Sequence, residues 1–198
     1  MKAKKFFSMI LLSALLLTAY GCKEKPAEKA ETPVIATDTK ALSELPAAYV
    51  EPMTKLLNEW GSRKGSMSDP FIGTRILTEN ISMDKVGYAV LDIDGDGVED
   101  MITAPIEAFA QNGMVFDILT SKDGKPWHLA NSLEATYHMM EDKSFVLQTP
   151  DKETKTATYK LVTINGSDRP TETPITADQA RSYTPSKIAL TPLSELIK

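Results

Sequence analysis

Four aspartates lie within nine residues, in the segment DIDGDGVED at positions 92 to 100. In a tightly turned loop, alternate side chains point toward one centre, and carboxylate oxygens are the ligands that calcium prefers. Gly97 permits the sharp turn that such a loop needs. The spacing therefore predicts a divalent cation, calcium rather than magnesium, zinc or copper. The predicted ligands are four carboxylates and one backbone carbonyl oxygen: Asp92, Asp94, Asp96, Asp100 and the carbonyl of Val98.

Electrostatics favours an ion in this loop over a metal-free turn. Two carboxylates about 4 Å apart repel by about 4 kcal/mol at an effective dielectric constant near 20. Without a cation the loop would splay or take up protons. The alternative is an empty turn, because Asp and Gly are common turn residues in any protein. We expect a modest calcium affinity, about 10⁻⁴–10⁻³ M, as in extracellular modules.

The loop resembles two kinds of calcium site. Its first residues match the EF-hand pattern D-x-[DN]-x-[DN]-G, but Thr103 stands where an EF-hand has its bidentate glutamate. The flanks Tyr88–Leu91 and Met101–Ala104 have the character of strands. The segment is therefore more similar to the strand–loop–strand loops of integrin-type blades, with the pattern DxDGDGxxD. That resemblance implies that Asp100 completes the shell and that the ion rigidifies a hairpin.

A longer segment, MDKVGYAVLDIDGDGVEDMITA, resembles a recurring stretch of uncharacterised bacterial lipoproteins, of the form GYALxDLDGDGxxELLIG. In those chains a helical segment precedes the loop and short hairpins follow it. The resemblance covers about residues 41 to 165 of this chain. It supports calcium and lipid anchoring, and it implies no known activity.

The N-terminus has the pattern of an export signal. Lysines at positions 2, 4 and 5 precede an apolar run from Phe6 to Ala19, which is typical of a secretory signal and shorter than a membrane span of about 20 residues. The following segment TAYGC resembles the lipobox of bacterial lipoproteins. The resemblance implies cleavage before Cys22 and acylation of that cysteine with fatty acids such as palmitate. The alternative is a simple exported protein with an incidental cysteine.

These observations divide the chain into three predicted parts. Residues 1–21 are a lipoprotein signal peptide, and 22–40 are a lipid-anchored disordered tether, too poor in large apolar groups to fold. Residues 41–198 are a single α+β domain that contains the calcium-binding hairpin loop. The predicted location is the bacterial cell envelope. Lys23 after the cysteine implies, by the same resemblance, the outer membrane of a host with two membranes.

The predicted fold is an N-terminal helical segment packed on an antiparallel β-meander. Apolar residues from Leu45 to Trp60 recur at steps of three and four, with a kink expected at Pro52. Two short helices are predicted in the tail, over Asp178–Tyr183 and from Thr191. Strands are predicted near Ile72–Leu77, Val86–Asp92, Glu99–Ala104, Met114–Thr120, Trp127–Asn131, Ala135–Met140, Ser144–Gln148 and Thr156–Ile164.

Composition and motifs leave three hypotheses for function. A net charge of −5 argues against nucleic acid as a partner, and no catalytic residue is predicted because the sequence lacks nucleophile and phosphate-loop motifs. The first hypothesis is an envelope domain that recognises protein or glycan. The second is a calcium-dependent hydrolase of an envelope polymer, for which His128, Tyr137 and a carboxylate would converge beside the loop. The third is a structural component of an envelope complex with an empty Asp/Gly turn.

Overall fold

The β-strands in the described part of the chain form two antiparallel sheets of five strands each in a computed structural model. The structure describes residues 42–62, 65–66, 68–122, 125–130, 134–166 and 170–197. The predicted signal peptide, Cys22 and the tether lie outside the described residues. The α+β class and the antiparallel pairing are confirmed.

The two sheets replace the single predicted meander. The first sheet has the strand order β10-β1-β2-β4-β5, and the second has the order β3-β6-β7-β8-β9. The strands are β1 Val86–Leu91, β2 Asp100–Pro105, β3 Met114–Val115, β4 Asp117–Lys122, β5 Lys125–Ala130, β6 Thr136–Met139, β7 Phe145–Pro150, β8 Ala157–Thr163, β9 Thr171–Ile175 and β10 Thr191–Pro192.

The chain crosses between the sheets at Phe116, within the segment predicted as one strand. Met114 and Val115 pair with β6 in the second sheet, whereas β4 begins at Asp117 and pairs with β2 in the first. Phe116 between them is buried, and its backbone N–H donates to the carbonyl oxygen of Thr103 at 2.7 Å. The segment predicted as one strand therefore contributes β3 to the second sheet and β4 to the first.

The α-helices that lie wholly within the described residues are α1 Ala47–Asn58, α2 Ile72–Leu77, α3 Ile106–Asn112 and α4 Ala177–Ser182. Short 3-10 helices span Met83–Lys85 and Leu193–Ile197. Pro52 lies inside α1. Among the helices of the described residues, none combines the length and the apolar character that crossing a membrane requires.

Several of these elements differ from the predictions. Ile72–Leu77 is helix α2 and not a strand. A six-residue segment with three apolar residues, Ile72, Ile76 and Leu77, fits either element, and tertiary contacts decide between them. Helix α3 was not predicted. Thr191 and Pro192 form the short strand β10, and the following helix is of the 3-10 type. Helix α4 starts one residue before the prediction, after a capping box between Thr176 and Gln179.

The first sheet separates two apolar clusters. Along β2, Met101 belongs to the cluster that also contains Tyr49 and Leu57 of α1. The next residue, Ile102, belongs to the cluster that contains Phe145 of the second sheet. Successive side chains of a strand point to opposite faces, so β2 packs against both layers. The β1–β2 hairpin that carries the aspartates is therefore supported from both sides.

Candidate metal site in the β1–β2 loop

The aspartate loop lies at the tip of the β1–β2 hairpin, as predicted. The two strands pair along their whole length, from Val86 opposite Pro105 to Leu91 opposite Asp100. Two glycines of the loop occupy the left-handed region, Gly95 at φ 78° and Gly97 at φ 84°. A side chain is disfavoured there, so the expected conformational role of Gly97 is confirmed and Gly95 shares it.

Three of the four aspartates come together. Asp92, Asp94 and Asp100 each offer a carboxylate oxygen, and these three oxygens all lie within 4.8 Å of one another. Asp92 and Asp94 are half-buried, and Asp100 is buried. This group could hold a metal ion.

The other two predicted ligands have a different position. Asp96 is exposed and is not part of the group of three, and its Oδ1 accepts a hydrogen bond from the backbone N–H of Val98 at 2.7 Å. The side chain of Val98 is 45% exposed. The role of the Val98 carbonyl oxygen as a ligand stays a prediction.

The carboxylates are held in place by backbone groups of their own loop. Asp92 accepts N–H groups from Gly95 at 2.7 Å and from Gly97 at 3.2 Å. Asp100 accepts the N–H of Ile93 at 2.7 Å. An ionised carboxylate has about four lone-pair sites, so these bonds orient the oxygens and leave acceptor capacity for a cation.

The electrostatics of the group favours a positive ion. At 4.8 Å two like charges repel by about 3–4 kcal/mol if the effective dielectric constant is near 20. Burial raises the pKa of Asp94, and the negative charges of Asp96 and Asp92 raise it further. Within the described residues, the donors gathered here are all oxygen atoms, which fits a hard cation and does not fit zinc or copper.

Two residues distant in sequence support the loop. The Nζ of Lys143 donates to the backbone carbonyl oxygen of Asp92 at 2.5 Å. Lys143 lies in the turn between β6 and β7 with φ 66°, a left-handed conformation that is uncommon for lysine. The hydroxyl of Tyr49 on α1 lies 3.4 Å from the carbonyl oxygen of Glu99. Burial raises the pKa of Tyr49, and the charges of Asp100, Asp94 and Asp96 add to that shift.

Sequence reasoning missed Lys143 and Tyr49 because neither contact has a local signal. A cavity of about 240 Å³ opens beside the loop, with Asp94 and Gly95 on one wall and Lys143 and Asn165 on the other. The loop of the first sheet and turns of the second thus line one cavity, and Asp94 of the candidate metal site is part of that lining.

His128 and Tyr137, the two residues named in the hydrolase hypothesis, lie on strands of different sheets. His128 is half-buried on β5 of the first sheet, where burial lowers its pKa and the charge of Asp69 opposes the shift. Tyr137 is buried on β6 of the second sheet, where burial and the charge of Glu172 raise its pKa.

No family model, curated protein or solved structure matches this chain. The resemblances to lipoproteins and to calcium loops therefore rest on the quoted residues alone.

Proposed function

We propose that this chain is a lipid-anchored protein of the bacterial envelope whose α+β domain binds calcium in the β1–β2 loop and acts as a binding domain. The observation that carries the calcium proposal is the approach of three carboxylates, from Asp92, Asp94 and Asp100, to within 4.8 Å of one another. An ion at their centre would neutralise the mutual repulsion and rigidify the tip of the hairpin. The role of the ion would then be structural.

Calcium fits the loop better than magnesium does. Calcium accepts six to eight oxygens in flexible geometry, whereas magnesium demands a near-ideal octahedron and keeps several waters. The three carboxylates would supply only part of such a shell, and backbone oxygens and water would supply the rest. Calcium would therefore bind with modest affinity.

The lipid anchor is proposed from residues 1–22 alone. A positive segment, an apolar run and a single cysteine follow one another there. Acyl chains on Cys22 would hold the domain at the membrane, since each buried CH₂ adds about 0.8 kcal/mol. The partners proposed for the domain are a protein or a glycan of the envelope, and the acidic net charge of −5 does not suit nucleic acid.

Calcium titration by calorimetry, on the full chain in detergent, tests the ion proposal with two matched variants. Asp94→Asn removes one charge from the group of three, and Asp96→Asn removes one charge from the neighbouring exposed position. Wild type is expected to give saturable heat. Asp94→Asn is expected to abolish it, while Asp96→Asn weakens it less.

Two results would contradict this assignment. Absence of heat with wild type at millimolar calcium would refute calcium binding. Equal effects of the two variants would refute the assignment of the ion to Asp92, Asp94 and Asp100. A parallel titration with magnesium checks the choice of ion, and tighter binding of magnesium would overturn calcium.

A further inference from the structure

A second cavity, of about 330 Å³, lies on the outer face of the second sheet. Tyr137, Phe145 and Leu147 of this sheet point into the apolar core. Alternate residues point the other way, and His138 and Gln148 line the cavity.

The strand register brings the lining residues together. His138 on β6 is opposite Val146 on β7, and Gln148 on β7 is opposite Tyr159 on β8. Residues of α4 and of the segment after it complete the walls, and a bridge between Met140 and Pro185 closes one end. The lining combines apolar side chains such as Val146 and Met140 with aromatic and polar ones.

The polar groups of the cavity are neutral or already paired. The Nδ1 of His138 lies 3.1 Å from the carbonyl oxygen of Asn112, so a proton on Nδ1 donates to that oxygen and Nε2 is left as an acceptor. Burial lowers the pKa of His138, which keeps the ring neutral at neutral pH. Arg181 is the charged residue among those that line the cavity, and it forms an ion pair with Asp178.

These features select one class of ligand. The one charged residue in the lining, Arg181, is already paired with Asp178, and a purely apolar ligand would leave the amide of Gln148 and the imidazole of His138 without partners. A sugar ring presents both a face of C–H groups, which packs on aromatic rings such as Tyr159 and Tyr183, and hydroxyls, which pair with neutral donors and acceptors. The volume lies at the lower end of the range for small-ligand sites, about 300–1,000 Å³.

We infer that the cavity formed by β6, β7, β8 and α4 binds one neutral sugar residue of a glycan. The inference rests on the proposed binding role of the domain, and it names the ligand class. It does not depend on the calcium ion, because the lining residues of the cavity include none of the loop aspartates.

Protein-observed NMR on the full chain, in a zwitterionic detergent without sugar groups, tests the inference. The probes are methyl β-D-glucopyranoside and sodium glucuronate. The neutral glucoside is expected to give saturable shifts of the amide signals of His138, Gln148 and Tyr159, with glucuronate weaker. Tyr159→Ala and Gln148→Ala are each expected to weaken binding about tenfold, the effect of losing about one such contact.

Gln111→Ala is the matched control, because Gln111 is an exposed amide on α3 that does not line this cavity. It is expected to leave the titration unchanged. The variant Gln148→Ala keeps the test informative if Tyr159→Ala does not fold. Absence of saturable shifts with the glucoside would overturn the inference, as would unchanged binding in both cavity variants or tighter binding of glucuronate.

Titrations in calcium and in EDTA separate this inference from the ion proposal. Sugar binding with no calcium binding would refute only the ion, and calcium binding with no sugar shifts would refute only the sugar site.

Discussion

The carboxylate of Asp100 accepts a hydrogen bond from the backbone N–H of Ile93 across the base of the β1–β2 loop, with 2.7 Å between the two atoms. Asp100 is 1% exposed and is also opposite Leu91 in the last pair of the hairpin. The same side chain offers an oxygen to the group with Asp92 and Asp94. One buried aspartate thus closes the loop and contributes to the candidate ion site.

Substitution Asp100→Asn is expected to abolish stabilisation of the domain by calcium. An asparagine oxygen can still accept the N–H of Ile93, but the group of three loses one charge. For wild type, calcium at about 100 times its Kd would add about 2.7 kcal/mol to the free energy of unfolding. Urea unfolding with calcium and with EDTA measures this increment.

The control for Asp100→Asn is Asp84→Asn, the same substitution outside the loop. Asp84 is exposed and lies before β1, whereas the aspartate loop follows β1. The control should retain the full increment. A calcium increment of wild-type size in Asp100→Asn would show that this carboxylate does not bind the ion.

Substitution Lys143→Gln is expected to raise the calcium affinity severalfold. The ammonium group lies 2.5 Å from the carbonyl oxygen of Asp92 and places a positive charge beside the ion site, so removing it removes a repulsion. The gain should shrink as salt increases, because the Debye length falls from about 10 Å at 0.1 M to about 3 Å at 1 M. Calorimetry at two salt concentrations measures both effects, with the exposed Lys187→Gln as control. A lower affinity in Lys143→Gln would mean that this lysine organises the loop more than it repels the ion.

The loop itself was predictable because its chemistry is local. The aspartate spacing, the need for a glycine at position 97 and the two flanking strands all lie within about 20 residues. Such features depend on the pleat of a hairpin and on turn geometry, which a single stretch of sequence encodes. The selection of three aspartates among the four was not encoded in the spacing, and it follows from the side-chain hydrogen bonds of the folded loop.

Elements decided by distant contacts could not be predicted in this way. Ile72–Leu77 reads as a strand from its apolar residues, yet it is a helix whose first N–H groups meet the carboxylate of Asp117. The positions of Lys143 and Tyr49 beside the loop likewise depend on how separate layers pack. Sequence patterns indicate the secondary structure that a segment prefers locally. Tertiary packing overrides this preference where the segment is buried.

The buried carboxylate of Asp117 predicts a pH-dependent difference in stability. It accepts hydrogen bonds from the N–H groups of Gly73 and Thr74 and from the hydroxyls of Thr74 and Thr103. Burial raises the pKa of Asp117 to about 6, although these donors lower it. Protonation of Asp117 therefore stabilises the folded state. This contribution is complete below pH 3.8, the ordinary pKa of an aspartate, and is lost as the pH rises through about 6.

Asp117→Asn removes this titration and leaves an amide among four donors, so the variant is less stable at every pH. The gap in unfolding free energy between wild type and Asp117→Asn is expected to narrow by about 3 kcal/mol between about pH 4 and pH 7. Urea unfolding across that pH range measures the gap. Gln111→Ala is the control, because this substitution removes no titrating group. A gap that widens with rising pH would show that the donors outweigh burial.

Gly113 is expected to tolerate no side chain. It ends α3 with φ 75°, and a Cβ there would lie 2.3 Å from the carbonyl oxygen of Met139. Gly61 has the same φ of 75°, but its Cβ would meet nothing closer than 3.7 Å. Gly61→Ala should therefore cost only the backbone strain, about 1–2 kcal/mol.

Gly113→Ala should cost a further 1–3 kcal/mol or so, because the clash is with backbone and cannot be relieved by a side-chain rotation. Denaturant midpoints of the two variants give the difference directly. Equal losses in both would show that β3 and β6 shift apart at little cost.

The lipid anchor is expected to depend on Cys22, the single cysteine of the chain. Expressed in a bacterium with two membranes and fed with radiolabelled palmitate, the wild-type chain should take up label and sediment with the outer membrane. Cys22→Ser should take up no label and should be lost from the outer membrane, because no cysteine is then left to carry the acyl chains. The control Ser43→Ala, beyond the predicted tether, should behave as wild type. Outer-membrane sedimentation of Cys22→Ser equal to that of wild type would refute the lipid anchor and leave a chain held at the envelope by other contacts.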